Sequence, residues 1–285
     1  MAYFADAFAK MGKVPQVGDP KLGEELHAGY AAAHPFPHII IDDFLPQNIA
    51  DACLNGFPKT LDPESQFFDR DQERLKTSYN PDYLDDEIQM IFQKLNARPF
   101  LKFLENLTGI KGLITDPYYL GGGFHEIKNG GHLSVHADFN YHHIMKVERR
   151  INVLIYLNPD WKEEYGGQLE LWSDDMAQCV HSVVPLHNRC VIFNTTSNSN
   201  HGNPQVVNNP LNISRKSIAL YYYTATWSDV KKGHTTQFRP RVGTGDKIDF
   251  SVRAEETIKN LLPPILHRTA MRVWYKISKF ILPKS

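Results

Sequence analysis

Three residues with the chemistry of a metal clamp lie in two short stretches of this chain. In Gly131-His132-Leu133-Ser134-Val135-His136-Ala137-Asp138-Phe139, His136 and Asp138 stand two positions apart. On a β-strand such residues project from one face, so an imidazole and a carboxylate sit side by side on rigid backbone. A third donor follows at His201, in Asn200-His201-Gly202-Asn203-Pro204. Mixed imidazole and carboxylate without thiolate suits Fe(II), Mn(II) or Zn(II). Three protein ligands leave positions open for exchangeable ones, as a catalytic site requires. Further along stands Arg215, in Ile213-Ser214-Arg215-Lys216-Ser217. Its planar fork matches a carboxylate bidentately, and Ser217, two residues on, can face the same way. An open metal site beside a fixed cation suits an anionic co-substrate, and that anion site argues for iron.

Each part alone is weak evidence. A His-x-Asp triplet is common, Asn-His-Gly-Asn-Pro could be a plain turn, and most arginines are surface arginines. The combination carries the argument, provided the elements bring these residues together. The run Arg189-Cys190-Val191-Ile192-Phe193-Asn194 reads as a strand that would deliver His201 to the mouth of a β core.

The surrounding pattern supports such a core. From about Leu113 the chain becomes a series of short apolar or alternating segments. They are 113–120, 123–128, 132–138, 150–157, 168–172, 182–184, 190–194 and 217–224, punctuated by Gly121-Gly122-Gly123, Asn129-Gly130-Gly131 and Gly166-Gly167. That many short strands predict a double-sheet jelly roll. Before it, residues 1–34 read as an irregular or partly helical arm, and Pro35 to Leu45, with its β-branched run, reads as a strand. Residues 47–57 and 84–106 have helical spacing, with Pro99 breaking the second. The polar stretch 62–80 reads as a loop over the site, as does 139–149. Tyr141-His142-His143 is expected to be solvated. His125 and His132 are expected to face away from the metal, although His132 shares the parity of His136. The expected plan is a layer at 1–112, a core at 113–226 and an extension at 227–285. That extension ends in an amphipathic helix with Ile265, Met271 and Trp274, docked on the β core rather than lying on a membrane.

Composition bounds the function. The 285 residues carry 42% hydrophobic and 22% charged side chains and a net charge of −1. These are the proportions of an ordinary globular protein with no bulk affinity for nucleic acid or anionic membrane. Cys53, Cys179 and Cys190 are odd in number and widely spaced, which suits reduced thiols in the cytoplasm. No signal peptide and no apolar run long enough to span a bilayer can be read.

The order His136-x-Asp138, His201, Arg215-x-Ser217 resembles the 2-oxoglutarate and Fe(II)-dependent dioxygenases, and within them the prolyl 4-hydroxylase-like branch. More specific is Ile155-Tyr156-Leu157-Asn158-Pro159-Asp160-Trp161 followed by Gly166-Gly167-Gln168-Leu169-Glu170-Leu171. Pro37 to Leu45 also resembles bacterial members. The resemblance implies a double-stranded β-helix core with His136, Asp138 and His201 as iron ligands. It implies that Arg215, Ser217 and Tyr156 hold the distal carboxylate of 2-oxoglutarate while Leu169 packs on its methylenes. It further implies O2 as oxidant, ascorbate as candidate reductant, and hydroxylation of an unactivated C–H bond with release of succinate and CO2. The substrate would be a prolyl residue in a peptide, an amino acid or another metabolite. Some relatives carry a Tyr about ten residues before the first ligand; here Glu126, flanked by His125, stands at that place. Two rival readings are a jelly-roll binding module and a non-redox cupin-type metalloenzyme. Neither needs Arg215 beside Tyr156 and Ser217.

Overall fold

The computed structural model describes residues 20–225 and 236–244. Contacts divide the chain into two compact units, Met1–Arg239 and Pro240–Ser285, and the site belongs to the first. The helix expected near the C-terminus lies outside the described residues.

Among the described residues four α-helices precede the core: α1 (Pro20–Ala32), α2 (Gln47–Asn55), α3 (Asp86–Leu95) and α4 (Arg98–Thr108). The break expected at Pro99 falls between α3 and α4. Pro99 sits in the first turn of α4, where its missing N–H costs nothing. Gly109 closes α4 in the left-handed conformation, φ 75°. In α3, Asp86 and Glu87 occupy the first turn and Lys94 the last, matching the helix dipole.

Thirteen strands among the described residues join one sheet. Its main path runs β1 (His38–Ile41), β10 (Cys190–Asn194), β7 (Val147–Tyr156), β12 (Arg215–Ala225), β5 (Gly123–Ala137), β11 (His201–Asn203), β8 (Leu169–Trp172) and β9 (Cys179–Val183). The sheet is antiparallel and curled, a mainly β architecture with few helices. Short strands flank this path: β4 (Ile114–Thr115), β6 (Tyr141–His142) and β13 (Gln237–Phe238).

The period-two rule decides what each face does. On β7, β10 and β12, Ile151, Val153, Ile155, Cys190, Ile192, Ile218, Leu220 and Tyr222 share one apolar core with the helices. There Phe124 meets Phe57 and Phe92 edge-on at 4.9 and 5.4 Å. Such pairs add about 0.5–1.5 kcal/mol each beyond area burial. The alternate residues face the interior of the curl, where Tyr156, Leu169, Leu171, Val191 and Phe193 pack together. Because both faces are buried, these strands read in sequence as nearly continuous apolar runs.

Two segments differ from expectation. Residues 62–80 are not a loop: Gln66–Arg70 (β2) and Glu73–Tyr79 (β3) form a hairpin, and β3 pairs with β5. Its polar sequence hid this, because the hairpin is held by ion pairs. Glu73 takes Arg70 at 2.8 Å and Lys76 at 2.7 Å. Asn129-Gly130-Gly131 does not end a strand either. β5 runs through it as a bulge, with Gly130 at φ 82° and the β3 register slipping between Arg74 and Lys76. A Cβ on Gly131 would lie 2.6 Å from the Arg74 carbonyl oxygen, so only glycine lets the hairpin approach.

Candidate active site

β5 ends in His136 and Ala137, and β11 begins at His201 directly opposite His136. The pairing brings the three sequence-selected groups together. One ligand atom from each of His136, Asp138 and His201 lies within 4.8 Å of the others. His136 Nε2 stands 3.6 Å from Asp138 Oδ1, and His201 Nε2 stands 3.3 Å from Asp138 Oδ2. The far nitrogens are fixed by backbone. Nδ1 of His136 donates to Ser134 O at 2.8 Å, and Nδ1 of His201 to Ser199 O at 2.9 Å.

These bonds put the proton of each neutral ring on Nδ1 and leave Nε2 with a lone pair. Burial favours the neutral ring of His136, moving its pKa down. Two lone pairs and a carboxylate then converge in a buried place. A cation among them relieves that repulsion, so the donor set fits a divalent metal with open positions.

Asp138 is held from behind by two residues that the sequence reading missed. Arg149 Nη2 lies 2.9 Å from Asp138 Oδ2, and Asn152 Nδ2 donates to the same oxygen at 2.7 Å. Asn152 Oδ1 in turn accepts from Arg149 Nε and Nη2 at 3.0 and 2.7 Å. The guanidinium lies 3.4 Å from the Tyr221 ring centroid and 4.5 Å from that of Phe139. Burial opposes ionisation of Asp138, but the Arg149 guanidinium outweighs it and holds the carboxyl well below its usual range. The available signal was Asn152 itself, a lone amide inside Ile151-Asn152-Val153-Leu154-Ile155.

The triad opens into a cavity of about 210 Å³, also lined by Arg215, Ser217, Leu169 and Asn203. Arg215 begins β12 with Ser217 two residues on, and both are buried. Its Nε donates to Gly167 O at 2.6 Å. Its guanidinium carbon lies 4.9 Å from the Tyr156 ring centroid. No carboxylate among the described residues pairs with it. Burial pushes its pKa down. Tyr156 faces Ser217 across the β7–β12 ladder, and its hydroxyl is buried beside the Arg215 guanidinium with no well-formed hydrogen bond among the described residues.

Three other histidines are placed differently from expectation, or more definitely. His125 lines the cavity, because it pairs with inward-facing Ser217. His132 turns away and bonds Asp71 O at 3.0 Å. His142 is not solvated: it is fully buried, 3.2 Å from Asp116, and its Nδ1 accepts from Met145 N. From the hairpin, Phe68, Arg70, Glu73 and Lys76 line the cavity.

Comparison with known proteins agrees with this geometry. Residues 122–223 match the family model described as the 2OG-Fe(II) oxygenase superfamily. That span contains the triad and Arg215. A prolyl hydroxylase of Trichoplax adhaerens, solved with a hypoxia inducible factor oxygen degradation domain peptide, aligns at a TM-score of 0.50 and 17% identity. The alignment covers 72% of this chain and 90% of that one, which shows a shared fold. A Pseudomonas putida prolyl-4-hydroxylase aligns at a TM-score of 0.48 and 16% identity, over 72% of this chain and all of that one. Prolyl 3-hydroxylase OGFOD1 of Mus musculus is 34% identical over 79 residues, or 26% of this chain. The match spans only 14% of that protein's length. Residues 122–223 of this chain are thus similar to the 2OG-Fe(II) oxygenase superfamily, on a curled β fold shared with the Trichoplax prolyl hydroxylase.

Proposed function

We propose that the chain hydroxylates an unactivated C–H bond, using Fe(II), O2 and 2-oxoglutarate, on a prolyl-containing peptide or a small molecule. One oxygen atom of O2 enters the substrate as hydroxyl. The other enters succinate as 2-oxoglutarate loses CO2. The observation that carries the reading is Arg215, a buried guanidinium that no carboxylate among the described residues pairs, in the same cavity as the His-Asp-His cluster. A buried unpaired charge is costly, and a dicarboxylate that also reaches the metal would neutralise it. A non-redox metalloenzyme or a binding module has no use for that arrangement.

In this reading His136, Asp138 and His201 hold the iron, which supplies the oxidising power when bound. Arg215 and Ser217 grip the distal carboxylate, the Tyr156 hydroxyl supports them, and Leu169 packs on the methylenes. The enclosing walls keep water from the reacting atoms. Ascorbate would serve as a reductant returning the metal to Fe(II). The peptide in the Trichoplax enzyme makes a peptidyl substrate reasonable here, approaching past the β2–β3 hairpin. The three free cysteines suit the cytoplasm. No helix among the described residues is long and apolar enough to cross a membrane.

The test is anaerobic titration with Fe(II) and 2-oxoglutarate, followed by a visible charge-transfer band, and then succinate release in air with candidate peptides and amino acids. His136→Ala should retain under about a tenth of the bound iron and lose the band, since a three-ligand site tolerates no missing ligand. An intact band in that variant removes His136 from the ligand set.

Glycine at position 167 bears on the same pocket. Gly167 has φ 71°, and a Cβ there would stand 2.9 Å from Arg215 Cδ and 3.0 Å from Val207 Cγ2. Gly167→Ala is expected to cost about 1–2 kcal/mol for the left-handed backbone alone. It should also push Arg215 aside and weaken 2-oxoglutarate binding. Urea unfolding and the same titration measure both, and unchanged binding would separate Gly167 from the anion pocket.

A further inference from the structure

Asn203 is buried, 3% exposed, yet among the described residues no hydrogen-bond partner meets its side-chain nitrogen. The side chain lines the cavity that contains the triad and Arg215. A buried amide left unpaired is costly, and one in a cavity wall is free to donate to whatever occupies the cavity.

The register says where along the cavity it stands. On β11, His201 faces Leu171 and Gly202 faces Glu170. The same register continues to the bond from Gly167 N to Gln205 O at 3.1 Å. Leu169 is therefore the lateral neighbour of Asn203, and Gly167 is the neighbour of Gln205. Arg215 is anchored at that lower level, on Gly167 O. Asn203 thus lies about 7 Å along the strand from His201, between it and the level at which Arg215 is anchored. A five-carbon diacid held between metal and guanidinium would run past this side chain, with its distal carboxylate within the amide's reach.

We propose that Asn203 is a co-substrate contact: its Nδ2 donates to the distal carboxylate, beside Arg215 and Ser217. This rests on the oxygenase reading above. It adds a neutral amide donor to a wall that Leu169 otherwise makes apolar. Asn203 thereby helps to select a dicarboxylate over a 2-oxo acid of equal length with a methyl end.

The test is calorimetric titration of Mn(II)-loaded, full-length protein with 2-oxoglutarate and, separately, with 2-oxopentanoate, which lacks the distal carboxylate. Asn203→Leu should bind 2-oxoglutarate about tenfold or more weakly, the size of a lost hydrogen bond to a charged group. Its affinity for 2-oxopentanoate should be equal or better. Asn203→Asp, which sets like charges together, should bind 2-oxoglutarate more weakly still. Mn(II) affinity and thermal midpoint, measured alongside, establish that each variant is folded and metal-competent. The proposal is overturned if Asn203→Leu keeps wild-type 2-oxoglutarate affinity, or weakens both acids equally. Arg215→Leu run in parallel separates the two readings. If only that variant loses 2-oxoglutarate, Asn203 is no contact and the oxygenase reading stands. If neither loses it, the oxygenase reading itself fails.

Discussion

Arg215→Leu is expected to lower 2-oxoglutarate affinity at least about 100-fold while leaving metal affinity unchanged. Truncating one partner of a buried, hydrogen-bonded charge pair costs about 2–5 kcal/mol or more, and a tenfold change in affinity is about 1.4 kcal/mol. The metal should be spared because Arg215 touches none of the triad; its bond goes to Gly167 O. Stability gives an independent readout. Without ligand the wild type holds a buried guanidinium that no carboxylate among the described residues pairs, a liability that leucine removes. Against this, the Gly167 carbonyl loses its donor, at about 1–3 kcal/mol. The two effects oppose, so the ligand-free variant should unfold within about 2 kcal/mol of wild type. The ligand response should differ sharply. At 100 times Kd, 2-oxoglutarate stabilises the wild type by about 2.7 kcal/mol, and this thermal shift should vanish in the variant. Arg215→Lys should fall between, keeping the charge but losing the fork. Wild-type 2-oxoglutarate affinity in Arg215→Leu would remove the anion pocket and the function built on it.

What the sequence disclosed and what it hid divide along physical lines. β7, β10 and β12 were legible because strands buried on both faces must be apolar, and Ile151 to Leu157 or Val191 to Phe193 leave little choice. His136 and Asp138 were legible because parity along one strand is local information. The β2–β3 hairpin was not, since Arg70, Glu73 and Lys76 look like solvent-facing residues until Glu73 is seen between the two cations. The single long β5 was hidden because glycines signal a turn and a bulge alike. His142 read as solvated because Asp116, its partner, lies far back in the chain. The same limit explains Arg149 and Asn203. An arginine next to Arg150, or an asparagine after His201, carries no local mark of what lies opposite it across the curl.

Arg149→Met is expected to be the most destabilising single change at the site, by about 3–5 kcal/mol in metal-free protein. Arginine at 149 is 2% exposed and offsets the Asp138 carboxylate at 2.9 Å. Removing it leaves a buried carboxylate with Asn152 as its remaining close donor, and strips Tyr221 and Phe139 of the cation packed against them. Two accompanying results distinguish this electrostatic loss from a simple packing defect. Mn(II) should stabilise the variant more than the wild type, because the bound metal replaces the missing positive charge beside Asp138. The pH dependence should also change. In the wild type the carboxyl is depressed well below its usual range. Its contribution is therefore present above the unfolded pKa and is lost as pH falls through the folded value. In Arg149→Met the folded pKa rises, so acidification neutralises the stranded carboxylate. The stability gap should be widest near pH 7 and narrow toward pH 5. Chemical denaturation with and without Mn(II) across that range measures both effects. A gap that ignores metal and pH would mean that Arg149 acts through packing alone, leaving Asp138 to be held in place by Asn152.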